Sequence, residues 1–143
     1  MSKNISKHIT YREGIRSDTA TRRGLNNNPN EQQLESMQLV AKKVFEPLRT
    51  HFDKPIRINS FFRGKELNRA IGGSKTSQHC KGEAIDMDAL GGITNKQLFD
   101  YIKDNLEFDQ LIWEFGTDKE PDWVHVSFTN RRKNRKLVIR AHH

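Results

Sequence analysis

The apolar residues of this chain follow two different spacings that alternate along the sequence, and no single kind of secondary structure satisfies both. From Glu31 to about His51 they recur every three or four residues, which predicts an amphipathic helix. The segments KPIRINS and GEAIDMDAL instead alternate apolar and polar residues, which predicts strands. The chain must therefore combine helices with a sheet.

The remaining segments continue this mixture. GKELNRAIGG predicts a short helix, TNKQLFDYIKDNL a long helix, and DQLIWEFG, WVHVSFT and LVIRA three late strands. The late strands follow one another through short turns, which favours antiparallel pairing. We predict an α+β fold with a mostly antiparallel sheet and helices packed on one side of it.

The sequence predicts one boundary, between a polar N-terminal segment and the rest of the chain. Residues 1–30 are rich in turn formers and end in GLNNNPN, which predicts an N-terminal arm on the domain surface. Residues 31–143 then form a single domain, because the whole chain of 143 residues has the length of one and no linker divides it. One cysteine, Cys80, excludes an intrachain disulfide.

The chain is strongly basic, with a formal net charge of +7 at pH 7. Such a charge favours an anionic partner: nucleic acid, anionic lipid or an anionic polymer of a bacterial cell wall. The basic run NRRKNRK lacks any recognised nucleic-acid-binding signature, so we predict no specific nucleic-acid partner. Neither a signal peptide nor a stretch of roughly 20 apolar residues is visible, so we expect synthesis in the cytoplasm and no membrane partner.

The stretch SQHCKGEAIDMD concentrates side chains that bind metals. His79 lies in a loop, and Asp86 lies seven residues later in the strand that follows. His125 lies in a later strand. Two imidazoles and one carboxylate are a suitable ligand set for a catalytic zinc ion, which keeps its fourth position for water. This spacing alone does not separate a metal site from a polar turn that leads into a strand.

Three separated motifs together resemble the zinc D-Ala-D-Ala peptidases of bacterial cell walls. This family includes D,D-carboxypeptidases and phage endolysins, and it shares its fold with the signalling domain of Hedgehog. The motifs are INSFFR, SQHCKGEAID and DWVHVSF, which occur in that order within residues 30–129. The resemblance implies one Zn²⁺ per chain, with His79, Asp86 and His125 as its ligands.

The same resemblance implies an acid that moves protons during catalysis. The family places it three residues before the last histidine, at Asp122 in this chain. It would take a proton from the attacking water and pass it to the leaving amine. Many relatives have glutamate at this position, so Glu120 and Glu114 are alternatives to the shorter aspartate. The alternative interpretation of Asp122 is a turn residue after Pro121.

Three further residues are candidates for binding the substrate. Arg63 matches an arginine of the family that faces the substrate, where its fork of donors suits a carboxylate or a developing oxyanion. Ser77 would donate a hydrogen bond to the substrate, and Trp123 shares a strand face with His125 and would line the cleft. The alternatives are a solvated arginine, a turn serine and a core tryptophan. Cys80 is expected to be a small packed residue.

The resemblance implies a zinc metallopeptidase that cleaves the peptide stem of bacterial peptidoglycan. The bond would be D-Ala-D-Ala at the end of the stem or L-Ala-D-Glu near the sugar. The partner would be that stem peptide, and we expect a monomer. A phage or prophage enzyme of this kind would reach the cell wall only after release from the cytoplasm. The alternative is a zinc-containing binding or phage structural module of the same fold.

Overall fold

Six helices and one five-stranded sheet form the structure, a computed structural model that describes residues 4–141. No helix within that range is long and apolar enough to cross a membrane. The helices are α1 (Tyr11–Ile15), α2 (Asp18–Arg23), α3 (Glu31–Val40), α4 (Glu46–Phe52), α5 (Lys65–Ala70) and α6 (Asn95–Asn105). The strands are β1 (Ile56–Ser60), β2 (Ala84–Ala89), β3 (Gln110–Glu114), β4 (Trp123–Ser127) and β5 (Leu137–Ala141). The predicted α+β class is confirmed.

The strands lie in the order β1-β2-β4-β3-β5. All neighbours pair antiparallel except β3 and β5, which pair parallel, so the prediction of a mostly antiparallel sheet is confirmed. The last strand is the exception: β5 does not pair with β4, the strand that precedes it in the chain. Because β4 lies between β2 and β3, both of its edges are already paired, and β5 adds to the outer edge of β3 instead.

The helix predicted from Glu31 to about His51 is present, but it is not regular throughout. Asn30 caps α3: its side chain accepts from the Gln33 N–H, while the Gln33 side chain accepts from the Asn30 N–H. A π-helical turn (Ala41–Phe45) then joins α3 to α4. Pro47 follows this turn and has no N–H to donate to the preceding turn. The wider π-helical turn lies just before Pro47, and the helix continues to Phe52.

Helices α3, α4 and α6 share a single apolar core with one face of the sheet. Its fully buried members come from α3, the π-helical turn and α4, from α6, and from alternate positions of the strands: Met37, Val40, Val44, Leu48, Leu98, Ile102, Ile85, Met87, Leu111, Val124 and Val126. Side chains alternate along a strand, so the residues between these strand positions face away from the core. Asp86 and His125 are two of them.

Residues of the predicted N-terminal arm pack closely on the rest of the chain. Ile5 and Ile9 are buried in the shared core. The side-chain oxygen of Asn27 accepts from the Gly64 N–H at 2.7 Å, and the Phe62 N–H donates to the Gly14 carbonyl at 2.9 Å. The division into residues 1–30 and 31–143 stays a prediction, and residues 1–3 and 142–143 lie outside the described range.

Candidate metal centre

Strands β2 and β4 place Asp86 directly opposite His125, on the sheet face that points away from the core. Asp86 Oδ1 lies 2.8 Å from His125 Nδ1, and Asp86 Oδ2 lies 3.3 Å from His79 Nε2. Within residues 4–141, these three side chains are the one group of three or more His, Cys, Asp or Glu whose possible ligand atoms all lie within 4.8 Å of one another. The structure thus brings the three predicted ligands together.

His79 is held in place on the short 3₁₀ turn Gln78–Lys81, which precedes β2. Its ring Nδ1 lies 2.8 Å from the Phe61 carbonyl oxygen, and its side chain is buried. The Ser77 hydroxyl accepts from the His79 backbone N–H, and the Arg63 backbone N–H donates to the His79 carbonyl. These contacts fix the direction of the imidazole ring.

The hydrogen bond to Phe61 defines which nitrogen of His79 carries a proton. A carbonyl oxygen can only accept, so Nδ1 donates and a neutral ring turns the Nε2 lone pair toward the Asp86 carboxylate. Two acceptors 3.3 Å apart repel each other unless a proton or a cation lies between them. Ligand atoms of a tetrahedral zinc ion are about 3.3 Å apart, given its bond lengths. The donor set therefore fits zinc.

Asp86 is in the charged form that a metal requires. Burial opposes its ionisation, but the electrostatic interaction with His79 and the hydrogen bond from His125 outweigh burial and hold the pKa of Asp86 well below its usual range. A carboxylate must be deprotonated to bind a metal ion. The position is thus ready to bind a cation at neutral pH.

Gly82 allows the tight turn between the first two ligands. Its φ is 73°, in the left-handed region, and a Cβ at this position would lie 2.4 Å from the Gln33 carbonyl oxygen of α3. The Gln33 side-chain amide also donates to the Cys80 carbonyl at 3.2 Å. Helix α3 therefore packs directly against the turn that carries His79.

We call His79, Asp86 and His125 the metal group. Two side chains near it do not belong to it. Cys80 is half-buried, and burial raises the pKa of its thiol, which favours the neutral form. Asp88 accepts hydrogen bonds from the side chains of Asn59 and Asn95, each at 2.8 Å. Asp88 thus links β2 to β1 and to the start of α6.

The metal group lies in an open cleft of about 690 Å³. Three other predicted site residues, Arg63, Ser77 and Trp123, line the same cleft. Arg63 Nη2 donates to the Ser77 hydroxyl at 3.1 Å, and the Arg63 Nε is buried without a hydrogen-bond partner within residues 4–141. The Trp123 ring meets the Phe115 ring edge to face, with centroids 5.3 Å apart.

The three candidate acids lie in different surroundings. Glu114 pairs with Trp123 across β3 and β4, which places it on the His125 face of the sheet, and it lines the cleft. Asp122 is exposed, precedes β4 and is not among the residues that line the cleft. The Glu120 carboxylate accepts from the Asn95 backbone N–H at the start of α6. Glu114 is thus the candidate acid that faces the cleft.

Two buried acids, Glu83 and Asp109, also belong to the surroundings of this cleft, and neither was predicted from the sequence. Glu83 is 2% exposed and Asp109 is fully buried. Their partners are three arginines of the basic run, Arg131, Arg132 and Arg135, which we call the arginine cluster. The basic run has five bases and no acid between residues 130 and 136, which was the available sign that its counter-charges lie elsewhere.

Each buried acid receives a fork of arginine donors. Arg131 donates to both Glu83 oxygens at 2.8 Å, and Arg132 and Arg135 each donate to both oxygens of Asp109. The hydrogen bonds from Arg135, with those from Arg132, hold the pKa of Asp109 well below its usual range. Burial opposes ionisation of Glu83, but the hydrogen bonds from Arg131 and Thr129 outweigh it and lower the pKa of Glu83.

The Asp109 ion pairs predict a pH-dependent stability. We expect Asp109→Asn to lower the free energy of unfolding at neutral pH by about 3 kcal/mol, the lower end for a broken buried ion pair, because its arginine partners keep contact with water. A carboxylate whose pKa is lower in the folded chain stabilises the fold above its unfolded pKa of about 4 and ceases to do so as pH falls further. We therefore expect the free energy of unfolding to fall less on acidification in Asp109→Asn than in the unmodified protein. Urea unfolding at neutral pH and at about pH 3 measures this difference.

The matched control for this prediction is Asp118→Asn. Asp118 also pairs with an arginine, Arg140, at 2.8 Å, but its side chain is 93% exposed. We expect no measurable change in stability from this substitution. Equal stability losses for the two variants, or an unchanged pH dependence in Asp109→Asn, would show that the buried pairs do not stabilise the fold.

Comparison with known proteins gives one family. The family model described as peptidase M15 matches residues 7–127. The matched range contains the three side chains of the metal group and ends with β4, so β5 and the arginine cluster lie beyond it. A comparison with curated proteins gives no significant match.

Proposed function

This chain belongs to the peptidase M15 family, as its motifs predicted, and from that premise we propose that it is a zinc peptidase that cleaves the peptide stem of bacterial peptidoglycan. The observation that carries the proposal is the convergence of His79, Asp86 and His125 in an open cleft. The resemblance of the motifs to cell-wall D-Ala-D-Ala peptidases supports the choice of substrate.

We assign His79, Asp86 and His125 as the ligands of one zinc ion per chain. When bound, zinc lowers the pKa of water towards about 7 and polarises a carbonyl group, which is the chemistry that peptide hydrolysis needs. The hydrogen bond to the Phe61 carbonyl keeps the His79 Nε2 lone pair directed toward the Asp86 carboxylate. The charged carboxylate of Asp86 lies between the two imidazoles and completes the donor set.

We assign proton transfer to Glu114 and keep Asp122 as the alternative. A general base must reach the attacking water and later the leaving amine, so it has to face the cleft. Glu114 lies beside Trp123 on the sheet face that carries His125, and this position supports the role. Asp122 keeps the family spacing to His125, and a movement of the turn before β4 would be needed to bring it into the cleft.

The proposed substrate contacts come from the other residues that line the cleft. Arg63 carries a fork of donors suited to a substrate carboxylate or to the oxyanion that develops on the scissile carbonyl. Ser77 holds the Arg63 guanidinium and can turn its own hydroxyl to a peptide group. Trp123 and Phe115 offer an apolar surface on which substrate side chains can pack.

The proposal is tested by digestion of purified peptidoglycan with the zinc-loaded protein. We expect soluble fragments whose new termini, identified by mass spectrometry, lie at D-Ala-D-Ala or at L-Ala-D-Glu. A chelator should stop the release, and added zinc should restore it. Metal-loaded protein that binds peptidoglycan without producing new termini would contradict the enzyme and support a binding module of the same fold.

A further inference from the structure

We propose that the arginine cluster binds a carboxylate that the substrate peptide carries on an internal acidic residue next to the scissile bond. The inference rests on the proposed function, which supplies the peptide substrate. The arginine cluster itself lies outside the family match, which ends at residue 127. The argument starts from where the three arginines lie.

The arginine cluster forms part of the cleft that holds the metal group. Its three side chains belong to the loop between β4 and β5, and all three line the cleft together with Arg63 and Lys81. The three arginines of the cluster pair with two buried acids, Glu83 and Asp109, so an excess of one positive charge remains on the cluster. Such an excess attracts anionic groups and raises their local concentration.

The buried acids fix the guanidinium groups without using all of their donors. Arg131 binds Glu83 through Nε and Nη2, and Arg135 binds Asp109 through the same two atoms. The Nη1 groups of Arg131 and Arg135 make no hydrogen bond within residues 4–141, and the two side chains are 44% and 45% exposed. One edge of each guanidinium is therefore anchored, while donors on the other edge stay available.

Anchored arginines bind an anion at a low entropic cost. A mobile side chain loses rotational freedom when it binds a ligand, whereas the rotamers of these arginines are already fixed by the buried acids. The flat fork of a guanidinium matches carboxylate oxygens in geometry as well as charge. The cluster is thus a preformed site for a carboxylate.

A peptide with an internal acidic residue suits this arrangement better than one with a terminal carboxylate alone. Arg63 and the arginine cluster come from different loops, one after β1 and one after β4, so basic residues of two loops line the cleft. In the L-Ala-D-Glu segment of a stem peptide, the free α-carboxylate of D-glutamate is attached to the carbon next to the scissile amide nitrogen. We therefore assign the cluster to this carboxylate, which favours cleavage at L-Ala-D-Glu.

The test compares two synthetic tripeptides that differ in one group. One contains L-Ala, D-isoglutamate and L-Lys; the other has D-isoglutamine in the middle and lacks the free carboxylate. Calorimetry with the zinc-loaded Glu114→Gln protein measures binding without turnover. We expect the acidic peptide to bind about tenfold more tightly, the effect of one charged hydrogen-bonded contact. Added inorganic phosphate should weaken binding of the acidic peptide only.

Two substitutions in the loop locate the effect. Arg132→Gln removes a charge from the cluster and leaves Arg135 as a partner of Asp109. Lys133→Gln removes the same charge from the neighbouring position, which does not line the cleft. We expect the preference for the acidic peptide to fall in Arg132→Gln and to persist in Lys133→Gln. Circular dichroism tests whether both variants are folded.

Equal affinity of the two peptides for the protein with an intact cluster would overturn the inference, and so would a preference lost equally in both variants. Phosphate binding without any peptide preference would also overturn it, since the site would then be a general anion site. If Arg132→Gln does not fold, the peptide comparison with the intact cluster still decides. Because this readout is binding, a failure to digest peptidoglycan would contradict the proposed function separately.

Discussion

Glu114→Gln should lower kcat/KM for stem-peptide cleavage about 10³-fold while the protein still binds one zinc ion per chain, since general acid–base catalysis contributes on this scale. Glutamine keeps the size of the side chain and its place beside Trp123, but it cannot accept a proton from water. The zinc content should not change, because the three metal ligands lie on β2, β4 and the turn before β2. Steady-state kinetics and metal analysis of the same preparation provide both readouts.

Asp122→Asn and Glu120→Gln are the matched comparisons for this prediction. Asp122 is exposed at the turn before β4, and we expect its substitution to leave most of the activity. Glu120 accepts from the Asn95 N–H, so its substitution should affect the start of α6 more than catalysis. Loss of activity in Asp122→Asn with full activity in Glu114→Gln would assign proton transfer to Asp122 and require the turn to move on substrate binding.

His125→Ala should remove both the metal and the activity. Two remaining ligands do not make a catalytic zinc site, so we expect zinc content near zero and a fall in kcat/KM of at least about 10⁴-fold. Zinc binds the folded chain with its ligands assembled, so a chelator should lower the Tm of the unmodified protein. The same chelator should leave the Tm of His125→Ala unchanged, which is a readout independent of activity.

The control for metal loss is His51→Ala. His51 stacks on Tyr101 with ring centroids 4.0 Å apart and takes no part in the metal group. This variant should keep one zinc ion per chain, its peptidase activity and its response to a chelator. Retention of zinc and activity by His125→Ala would contradict the ligand assignment, whatever the control shows.

The sequence contained enough to predict the sheet faces but not the partners across the sheet. Alternation in GEAIDMDAL placed Asp86 opposite in face to Ile85 and Met87, and the structure agrees, because a buried and an exposed sheet face impose that period. Nothing in either strand says that Asp86 lies opposite His125. The resemblance to a family implied only that the two residues share one site, since register depends on the packing of the whole sheet.

The unpredicted features depend on contacts between residues far apart in sequence. Asp109 precedes a strand and resembles an exposed turn residue, yet it is fully buried, because two arginines from the next loop but one neutralise it. The place of Glu114 in the cleft follows from alternation along DQLIWEFG, provided that β3 is known to pair with β4. The short turns between the late strands also predicted an antiparallel partner for β5. That prediction was wrong, because β5 pairs in parallel with β3.

The insertion of β4 between β2 and β3 has a consequence for the order of folding. Asp86 and His125 are 39 residues apart and become neighbours only when this central strand enters the sheet. Contacts of long sequence separation form late and slowly, because loop closure must come first. A nascent or partly folded chain therefore holds the proposed zinc ligands apart, and the proposed site is assembled only in the step that completes the sheet.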